Sequence, residues 1–429
     1  MPKKIIKSEL LPTSVTADKY PIHKWFNFVA GYSPEYVEMV IDTYIQKNGR
    51  KPQAIMDPFA GCATTNVVAN DLHIESYGVE RNPFFYKIGY TKTFAKLCLP
   101  FVKEIVEEFD QIISDDASAY EEVLNLLSPD ARKYLLKMFS EEDLGILLKI
   151  RKRVETYDDF KYYMGYTFLS KMLEFVTTAK TDGIYKAPTS TKRNVSVADA
   201  IVRTERIFMD GENEILRSSI EGSYHFDSSI NHSFPKEYFD MVIFSPPYLN
   251  NFDFAEMTRL QMYFWNEADS WRSISEKHRN HMLVNTTTAL KLVRGEQEQQ
   301  YYHGILPETL RAKIEPIVKE LERLYKEEKK SKDYFRIIYP YLGQMKKVLE
   351  KCINCLRVGG EIHIVVSDAA FYGIHIDTQE YLKDILESLG AKNIEIIRMR
   401  DRGDRWILDK RARSSKQLGE FEIIATKGE

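Results

Sequence analysis

An apolar run, Met241-Val242-Ile243-Phe244, led in by Phe239-Asp240, stops abruptly at Ser245-Pro246-Pro247-Tyr248. Neither proline can donate to a sheet ladder, so a strand predicted over this run must end there and the chain must leave the sheet. The prolines also fix φ and hold the residue before each of them extended. Ser245 and the carbonyl of Pro246 therefore project from the strand's carboxyl end with Tyr248 beside them, where open α/β sheets bind ligands. A hydroxyl and a backbone carbonyl held side by side can accept both hydrogens of a planar amino group and leave its nitrogen free to attack. An adjacent tyrosine can stack on the ring that carries the amine, and a base in a duplex must be flipped out to reach such a turn. The competing reading is a proline-terminated core strand with a capping tyrosine, so the rest of the chain has to decide.

A second strand-to-turn unit lies upstream. Ala54-Ile55-Met56-Asp57-Pro58-Phe59-Ala60-Gly61-Cys62-Ala63-Thr64-Thr65 reads as strand, tight turn and helix start, continued by Val67, Val68 and Leu72. Small residues at such a turn let backbone N–H groups approach a ligand at a helix N-terminus. The next strand, Ser76 to Glu80, ends on an acid about twenty residues past the turn, where a doubly wound fold places the carboxylate that accepts from ribose hydroxyls. Taken singly, Glu80 is a surface strand end; taken with the turn, it completes a nucleoside-binding half-domain.

The 429 residues, 44% of them hydrophobic, suffice for one large domain with insertions or for two domains. With 60 Lys+Arg against 63 Asp+Glu, a polyanion must be met by a local basic face. No stretch approaches the ~20 apolar residues of a membrane span and no signal-like start is visible, which predicts a cytoplasmic protein without a membrane partner. Four cysteines make no disulfide framework, and Cys352-x-x-Cys355 has no second pair to complete a metal site, so no metal is expected.

In chain order, Ser33-Pro34 reads as an N-cap with proline at the first helical position, followed by a face of Tyr36, Val37, Val40, Ile41 and Tyr44. From about residue 96 to 214 charged and apolar residues mix at helical spacing, a helical insertion. It is interrupted by a loop, Thr177 to Arg193, that is either a solvated connection or a phosphate-contacting segment through Lys180, Lys186, Lys192 and Arg193. Ser218 to Ser223 reads as a short strand and turn. Residues 266–334 form a second helical insertion. A helix ending at the glycine stop Arg357-Val358-Gly359-Gly360 precedes a buried strand, Glu361 to Val366. Two last strands flank a basic hairpin excursion, Arg398 to Lys416, holding Arg398, Arg400, Arg402 and Arg405.

These pieces, in this order, resemble the amino-group DNA methyltransferases, S-adenosylmethionine-dependent enzymes that methylate exocyclic amines of cytosine or adenine. Asp57 to Thr65 is similar to the family's cofactor turn, Asp-Pro-Phe-x-Gly-x-Gly-Thr-Thr, Glu80 falls at its ribose-binding acid, and Ser245-Pro246-Pro247-Tyr248 at its catalytic tetrapeptide. The segment from His23 to Ser33 is similar to the motif that precedes the turn. The resemblance implies an α/β, Rossmann-like seven-stranded methyltransferase sheet with a reversed last strand. Its core would be residues 20–95, 215–265 and 335–429, with residues 96–214 as the candidate target-recognition insertion. It also implies cofactor binding by Trp25, Ser33, Asp57, Pro58, Phe59, Gly61, Thr64, Thr65, Glu80 and Asn82. Two departures stand out. Ala63 replaces the second glycine, adding a methyl where the backbone comes closest to the cofactor, and Glu221-Gly222-Ser223 lacks the Asp often found after its Gly.

Within the family, Ser at the first tetrapeptide position is typical of cytosine-N4 enzymes and Asp or Asn of adenine-N6 enzymes, so Ser245 points to cytosine, with adenine-N6 as the alternative. Methylation at ring carbon is disfavoured because no thiolate follows the proline pair. A guanine-amine RNA methyltransferase tends to carry Asp at the first position and a separate RNA-binding domain. A DNA-binding protein that has kept the fold and lost catalysis is the alternative of another class, with Ala63 its best support. The expected partner is double-stranded DNA with a flipped base, and a cognate restriction endonuclease is the partner a restriction-modification family brings with it.

Overall fold

A computed structural model describes residues 19–26, 31–114, 120–182, 185–250, 253–284, 295–330, 332–402 and 417–429 of the chain. Seven strands make one sheet: β1 (Ala54–Asp57), β2 (Glu75–Glu80), β3 (Gly222–Phe226), β4 (Phe239–Phe244), β5 (Leu356–Ser367), β6 (Lys392–Asp401) and β7 (Gly419–Thr426). Their spatial order is β6, β7, β5, β4, β1, β2, β3. β3, β2, β1, β4 and β5 pair in parallel, and β7 runs antiparallel to both β5 and β6. The expected seven-stranded Rossmann-like α/β sheet is present.

The main helices are α1 (Pro34–Asn48), α2 (Thr64–Asp71), α3 (Pro83–Thr93), α4 (Asp159–Val176), α5 (Val197–Met209), α6 (Phe335–Cys355) and α7 (Thr378–Ser388). The period-2 alternation of the central strands sorts their side chains into two layers. Ile55, Met241, Ile243 and Val365 pack on α1 through Tyr36, Val37, Val40 and Ile41. Ala54, Met56, Val242, Phe244, Ile362 and Ile364 face the other way, onto Leu342, Met345 and Leu349 of α6 and Leu382 and Ile385 of α7. With both faces covered, the central strands are apolar throughout, as parallel strands must be. Between β2 and β3 the helices, α4 and α5 among them, bury a third cluster that includes Phe109, Leu147, Phe168 and Phe208. No helix among the described residues is long and apolar enough to cross a membrane.

Helix α1 starts where Ser33-Pro34 predicts: the Ser33 hydroxyl accepts from Tyr36 N at 3.2 Å. Four boundaries differ from the sequence reading. β6 runs on to Asp401, so Arg398 and Arg400, read as part of the excursion between the last two strands, lie on the strand itself and pair with β7. The strand expected within 218–223 is β3, which begins at Gly222 and ends at Phe226, so the residues read as a turn form its start. The segment read as a loop, 177–193, contains an antiparallel hairpin, Ala179–Asp182 with Tyr185–Thr191. Helix α6 stops at Cys355 and β5 begins at once, so Gly359, at φ 76°, sits inside the strand and not at a helix cap. Cys352 and Cys355 are buried free thiols on α6.

The amino end of the central sheet is pinned by Asp240 of β4. Its carboxylate accepts from Arg50 Nη2 at 2.8 Å, Arg357 Nη1 at 3.0 Å and Gln53 N at 2.6 Å. Burial alone raises its pKa, but the Arg50 and Gln53 hydrogen bonds and the Arg357 charge outweigh it and hold the group below the usual carboxylate range. Asp240→Ala is expected to cost about 1.5–3 kcal/mol, the range for hydrogen bonds to a charged group. A depressed carboxylate stabilises the fold above its unfolded pKa of about 4, and that contribution disappears as pH falls through the folded value. The gap in melting temperature between parent and variant, measured by calorimetry, should therefore close on acidification.

Candidate active site at the carboxyl ends of four strands

The turn after β1 is organised around the Asp57 side chain. Its Oδ1 accepts from Phe59 N at 2.9 Å, an Asx-type turn that suits the Pro58 that follows. Its Oδ2 accepts from Thr65 Oγ1 at 2.9 Å and from Tyr32 Oη at 2.5 Å. Burial raises Asp57 to about 6, against the donors that pull it down. Gly61 (φ 54°) and Ala63 (φ 65°) both take the left-handed conformation before α2 begins. Beneath the turn Tyr224 of β3 donates from its hydroxyl to the Gly61 carbonyl at 2.6 Å. Its ring fits only because Gly78 and Gly89 lack side chains: a Cβ there would lie 2.7 Å and 2.3 Å from Tyr224 atoms.

Glu80 ends β2 with its carboxylate facing the same turn. Gly61 N donates to Oε2 at 3.0 Å and Asn82 N to Oε1 at 2.5 Å. Burial raises Glu80 to about 7 despite these N–H groups. Asn82 caps α3, accepting from Phe84 N at 3.0 Å, and its amide donates to Thr258 Oγ1 at 3.0 Å. After β3, Asp227 accepts from Ser228 N at 2.7 Å and bonds His232 Nδ1 at 2.8 Å, while Ser229 Oγ donates to the Pro58 carbonyl.

After β4 come Ser245, Pro246, Pro247 and Tyr248. Tyr341 of α6 donates to the Pro247 carbonyl at 2.9 Å. Tyr248 donates to Glu420 Oε1 at 2.8 Å and takes a longer hydrogen bond, 3.4 Å, from Ser245 Oγ. Burial and the neighbouring Glu420 hold the Tyr248 phenol well above its usual pKa. Together the four strand ends line one cleft, walled by Pro58, Phe59, Gly61, Glu80, Asn82, Ser228, Ser229 and all four residues of the Ser-Pro-Pro-Tyr turn. The turn after β1 and the Ser-Pro-Pro-Tyr turn after β4 thus open onto the same space.

No protein-family model matches the chain. It is 23% identical to the Type II methyltransferase M.BsoBI of Geobacillus stearothermophilus, over 94% of this chain and 84% of that protein. It is 21% identical to the Type II methyltransferase M.AvaI of Nostoc sp., over 93% and 83%. The chain is related to the Type II methyltransferases. Methyltransferases of these families use S-adenosylmethionine. Among solved structures, the rRNA methyltransferase aviRa of Streptomyces viridochromogenes overlaps 96% of this chain and 93% of its own, at a TM-score of 0.30 and 8% identity.

In this methyltransferase relative the residues expected to bind cofactor divide into two groups. Pro58, Phe59, Gly61, Glu80 and Asn82 line the cleft. Asp57 and Thr65 lie behind it, holding the turn, and Thr64 is the first residue of α2. Trp25 is fully buried and stacks on Phe208 of α5, with ring centres 4.9 Å apart. Ser33 is the cap of α1, and its neighbour Tyr32 is the residue that reaches Asp57.

The basic residues also divide. Lys180 and Arg193 are exposed at the hairpin. Lys186 pairs with Glu174 at 2.5 Å, and Lys192 donates to the Glu174 carbonyl at 2.7 Å. Arg398 pairs with Asp401 at 2.6 Å and Arg400 with Glu420 at 2.6 Å. Arg402 is buried over the Tyr248 ring, and Arg405 lies outside the described residues. Sequence reasoning missed Ser228, Ser229, Phe254 and the segment His281 to Leu283, all of which line the cleft. An Asp-Ser-Ser run directly after a strand was the available signal for the first two.

At Ala63, where the family turn has glycine, the backbone itself favours glycine. Its φ of 65° is costly for any residue with a Cβ, by roughly 1–2 kcal/mol. Its methyl is buried beside Ala60 and Tyr224, which returns about 0.8 kcal/mol. Ala63→Gly is therefore expected to leave stability within about 1 kcal/mol of the parent, since glycine also orders at an entropic cost. Calorimetric titration should find S-adenosylmethionine affinity retained. Loss of binding would show that the methyl itself forms part of the cofactor cradle.

Proposed function

We propose that this protein is a site-specific DNA methyltransferase that transfers a methyl group from S-adenosylmethionine to the exocyclic N4 amine of cytosine. The observation that carries the reading is the single cleft into which Glu80 and the Ser245-Pro246-Pro247-Tyr248 turn both open. The cleft fits the cofactor by its lining: Glu80 offers a carboxylate for the ribose hydroxyls, and Gly61, in the left-handed conformation, puts no side chain on the turn beside it. Bound S-adenosylmethionine supplies an electrophilic methyl group on a sulfonium, which would depart as the neutral thioether as the N–CH3 bond forms, and the methylated nitrogen would then lose one proton to solvent.

An aromatic amine is a poor nucleophile because its lone pair is delocalised into the ring. Ser245 Oγ and the Pro246 carbonyl accept its two hydrogens, draw the nitrogen toward tetrahedral geometry, and aim the lone pair at the methyl. Tyr341 contributes by anchoring the Pro247 carbonyl, which keeps the turn from rotating. The target base enters flipped out of the duplex, and Tyr248 packs against it at the cleft wall. Serine at the first position of the turn supports cytosine through the family resemblance. DNA as the substrate is supported by the Type II methyltransferase relatives.

For the duplex we propose the face that carries the Ala179–Thr191 hairpin. Tyr185 of that hairpin accepts from Asp253 N at 2.9 Å, which ties the hairpin to the segment after the Ser-Pro-Pro-Tyr turn, and Lys180 and Arg193 are exposed cations on or just beyond the hairpin. Arg398 and Arg400 are already paired with acids.

Five outcomes test these readings. Incubation with DNA and labelled cofactor, followed by digestion to nucleosides, should yield N4-methylcytosine, and N6-methyladenine would replace the cytosine assignment. Ser245→Ala should lower methyl transfer far more than cofactor affinity, while Glu80→Ala should weaken S-adenosylmethionine binding by about 1.5–3 kcal/mol. Because Glu80 accepts best when ionised, cofactor affinity of the parent should rise as pH passes upward through about 7, and that of Glu80→Ala should not. Finally, Lys180→Ala with Arg193→Ala should weaken binding to all DNA sequences alike and flatten the slope of log affinity against log salt by roughly 0.9 per lost contact. An unchanged slope would exclude the hairpin face.

A further inference from the structure

We infer that Glu420, on the reversed strand β7, is a positioning residue that sets the direction of the hydrogen bonds at the catalytic turn, so that Ser245 offers only lone pairs to the incoming amine. The inference rests on the reading of Ser245 and Pro246 as acceptors for that amine.

Glu420 is 4% exposed and lies at the back of the turn. Its Oε1 accepts from the Tyr248 hydroxyl at 2.8 Å and its Oε2 from Arg400 Nε at 2.6 Å. The Arg402 guanidinium sits 5.4 Å from the centre of the Tyr248 ring and donates to Ser367 Oγ at 2.7 Å. A carboxylate paired in this way with a guanidinium is an acceptor only. A hydroxyl has one hydrogen, and that of Tyr248 is committed to Glu420. Tyr248 can therefore meet Ser245 only with a lone pair. With Ser245 Oγ 3.4 Å from the Tyr248 oxygen, the Ser245 hydrogen then points at Tyr248, and the Ser245 lone pairs are left facing the cleft.

The direction matters because the opposite one is unproductive. A Ser245 hydroxyl that pointed its hydrogen into the cleft would oppose the amine hydrogens, or would bond the nitrogen lone pair needed for attack. Neutral hydroxyls alone are free to reverse, and a buried carboxylate at the end of the chain removes that freedom. The same bond fixes the plane of the Tyr248 ring, whose face Arg402 covers.

The neighbouring acid on β7 provides a contrast. Glu422, two residues along on the same face, accepts from Tyr36 Oη at 2.8 Å and bonds His363 Nδ1 at 2.9 Å, partners that belong to the α1 layer and to β5. Glu422 therefore braces the frame. Glu420 is the member of the pair whose partner lines the cleft.

The test is steady-state methyl transfer from labelled S-adenosylmethionine to unmethylated, in vitro amplified genomic DNA. It compares the parent, Glu420→Gln, Tyr248→Phe and the double variant. Glutamine keeps the shape of Glu420, but its NH2 can donate to Tyr248 and reverse the chain. Glu420→Gln is expected to lower kcat roughly 10- to 100-fold, less than the roughly 100- to 1,000-fold lost when a preorganised group that touches the reacting atoms is removed, because Glu420 acts through Tyr248 and Ser245. KM for cofactor and for DNA should stay within about twofold, and the double variant should be no slower than the slower single one, because both changes interrupt one chain. Losses that multiply in the double variant would mark Glu420 as a separate structural contributor and overturn the inference, as would a kcat within about twofold of the parent for Glu420→Gln. Should Glu420→Gln fail to fold, Tyr248→Phe decides alone: unchanged kcat would overturn the inference, since the chain runs through the missing hydroxyl. A parent that binds S-adenosylmethionine but methylates no base would overturn the proposed function, and this inference with it.

Discussion

Two parallel strands at the centre of the sheet, β1 and β4, run side by side with Ile55 opposite Met241 and Met56 opposite Val242, and each is cut short by proline. Because proline has no N–H, neither ladder can be carried further, and the sheet opens between the two strand ends. The opening also coincides with the reversal of strand order. The chain moves from β1 outward to β2 on one side and from β4 to β5 on the other. That is the topological switch point at which doubly wound sheets bind ligands. The place of the cleft thus follows from the pairing of two strands, whatever chemistry is then installed there.

What keeps both turns rigid is a set of polar groups taken out of water and satisfied by one another. The Tyr32 hydroxyl donates to Asp57, contacts Thr65 Oγ1, and lies 3.4 Å from the Ile243 carbonyl near the end of β4. One phenol therefore touches the β1 turn, the start of α2 and β4. Burial makes the Asp57 charge costly, and its donors answer that cost only in this geometry, so any loosening of the turn leaves a polar group unpaired. This accounts for the tolerance of alanine at position 63. The turn is held by the Asp57 cluster and by Tyr224 beneath Gly61, and it does not depend on a second glycine for its shape.

The parts of the site that were legible in the sequence are those produced by local chemistry. Proline after a strand, an Asx turn and Ser33-Pro34 at a helix start are decided by neighbours in the chain, and Glu80 needs only the length of one strand-turn-helix-strand unit. The parts that were not legible depend on contacts far along the chain. Trp25 was drawn into the helical layer by Phe208, 183 positions later, and nothing near it in sequence announces that stack. Arg402 looks like a surface cation in a basic stretch, yet it is buried because Tyr248 and Ser367 converge on it. Asp227, Ser228 and Ser229 escaped because β3 was read about four residues early. Its register is set by Tyr224 lying over Gly78 and Gly89, which is a tertiary requirement.

The second insertion contributes to the same cleft through a buried ion pair. Arg279, fully buried, donates from Nε to Asp253 Oδ2 at 2.8 Å, and Asp253 Oδ1 caps the short helix Phe254–Met257 that follows the Ser-Pro-Pro-Tyr turn. Arg81, next to Glu80, donates to the Lys277 carbonyl at 2.9 Å. A buried pair of this kind is weak evidence for stability, because desolvating both charges costs about as much as their attraction returns. Its value here is geometric. Removing either partner would strand a charge in the interior, so the segment after the turn has one acceptable position, and that position brings Phe254 together with His281, Met282 and Leu283 along the wall facing Glu80. The core turns supply the polar groups of the cleft and most of its apolar wall, and the insertion, tied down by Asp253 and Arg81, adds His281, Met282 and Leu283 to that wall.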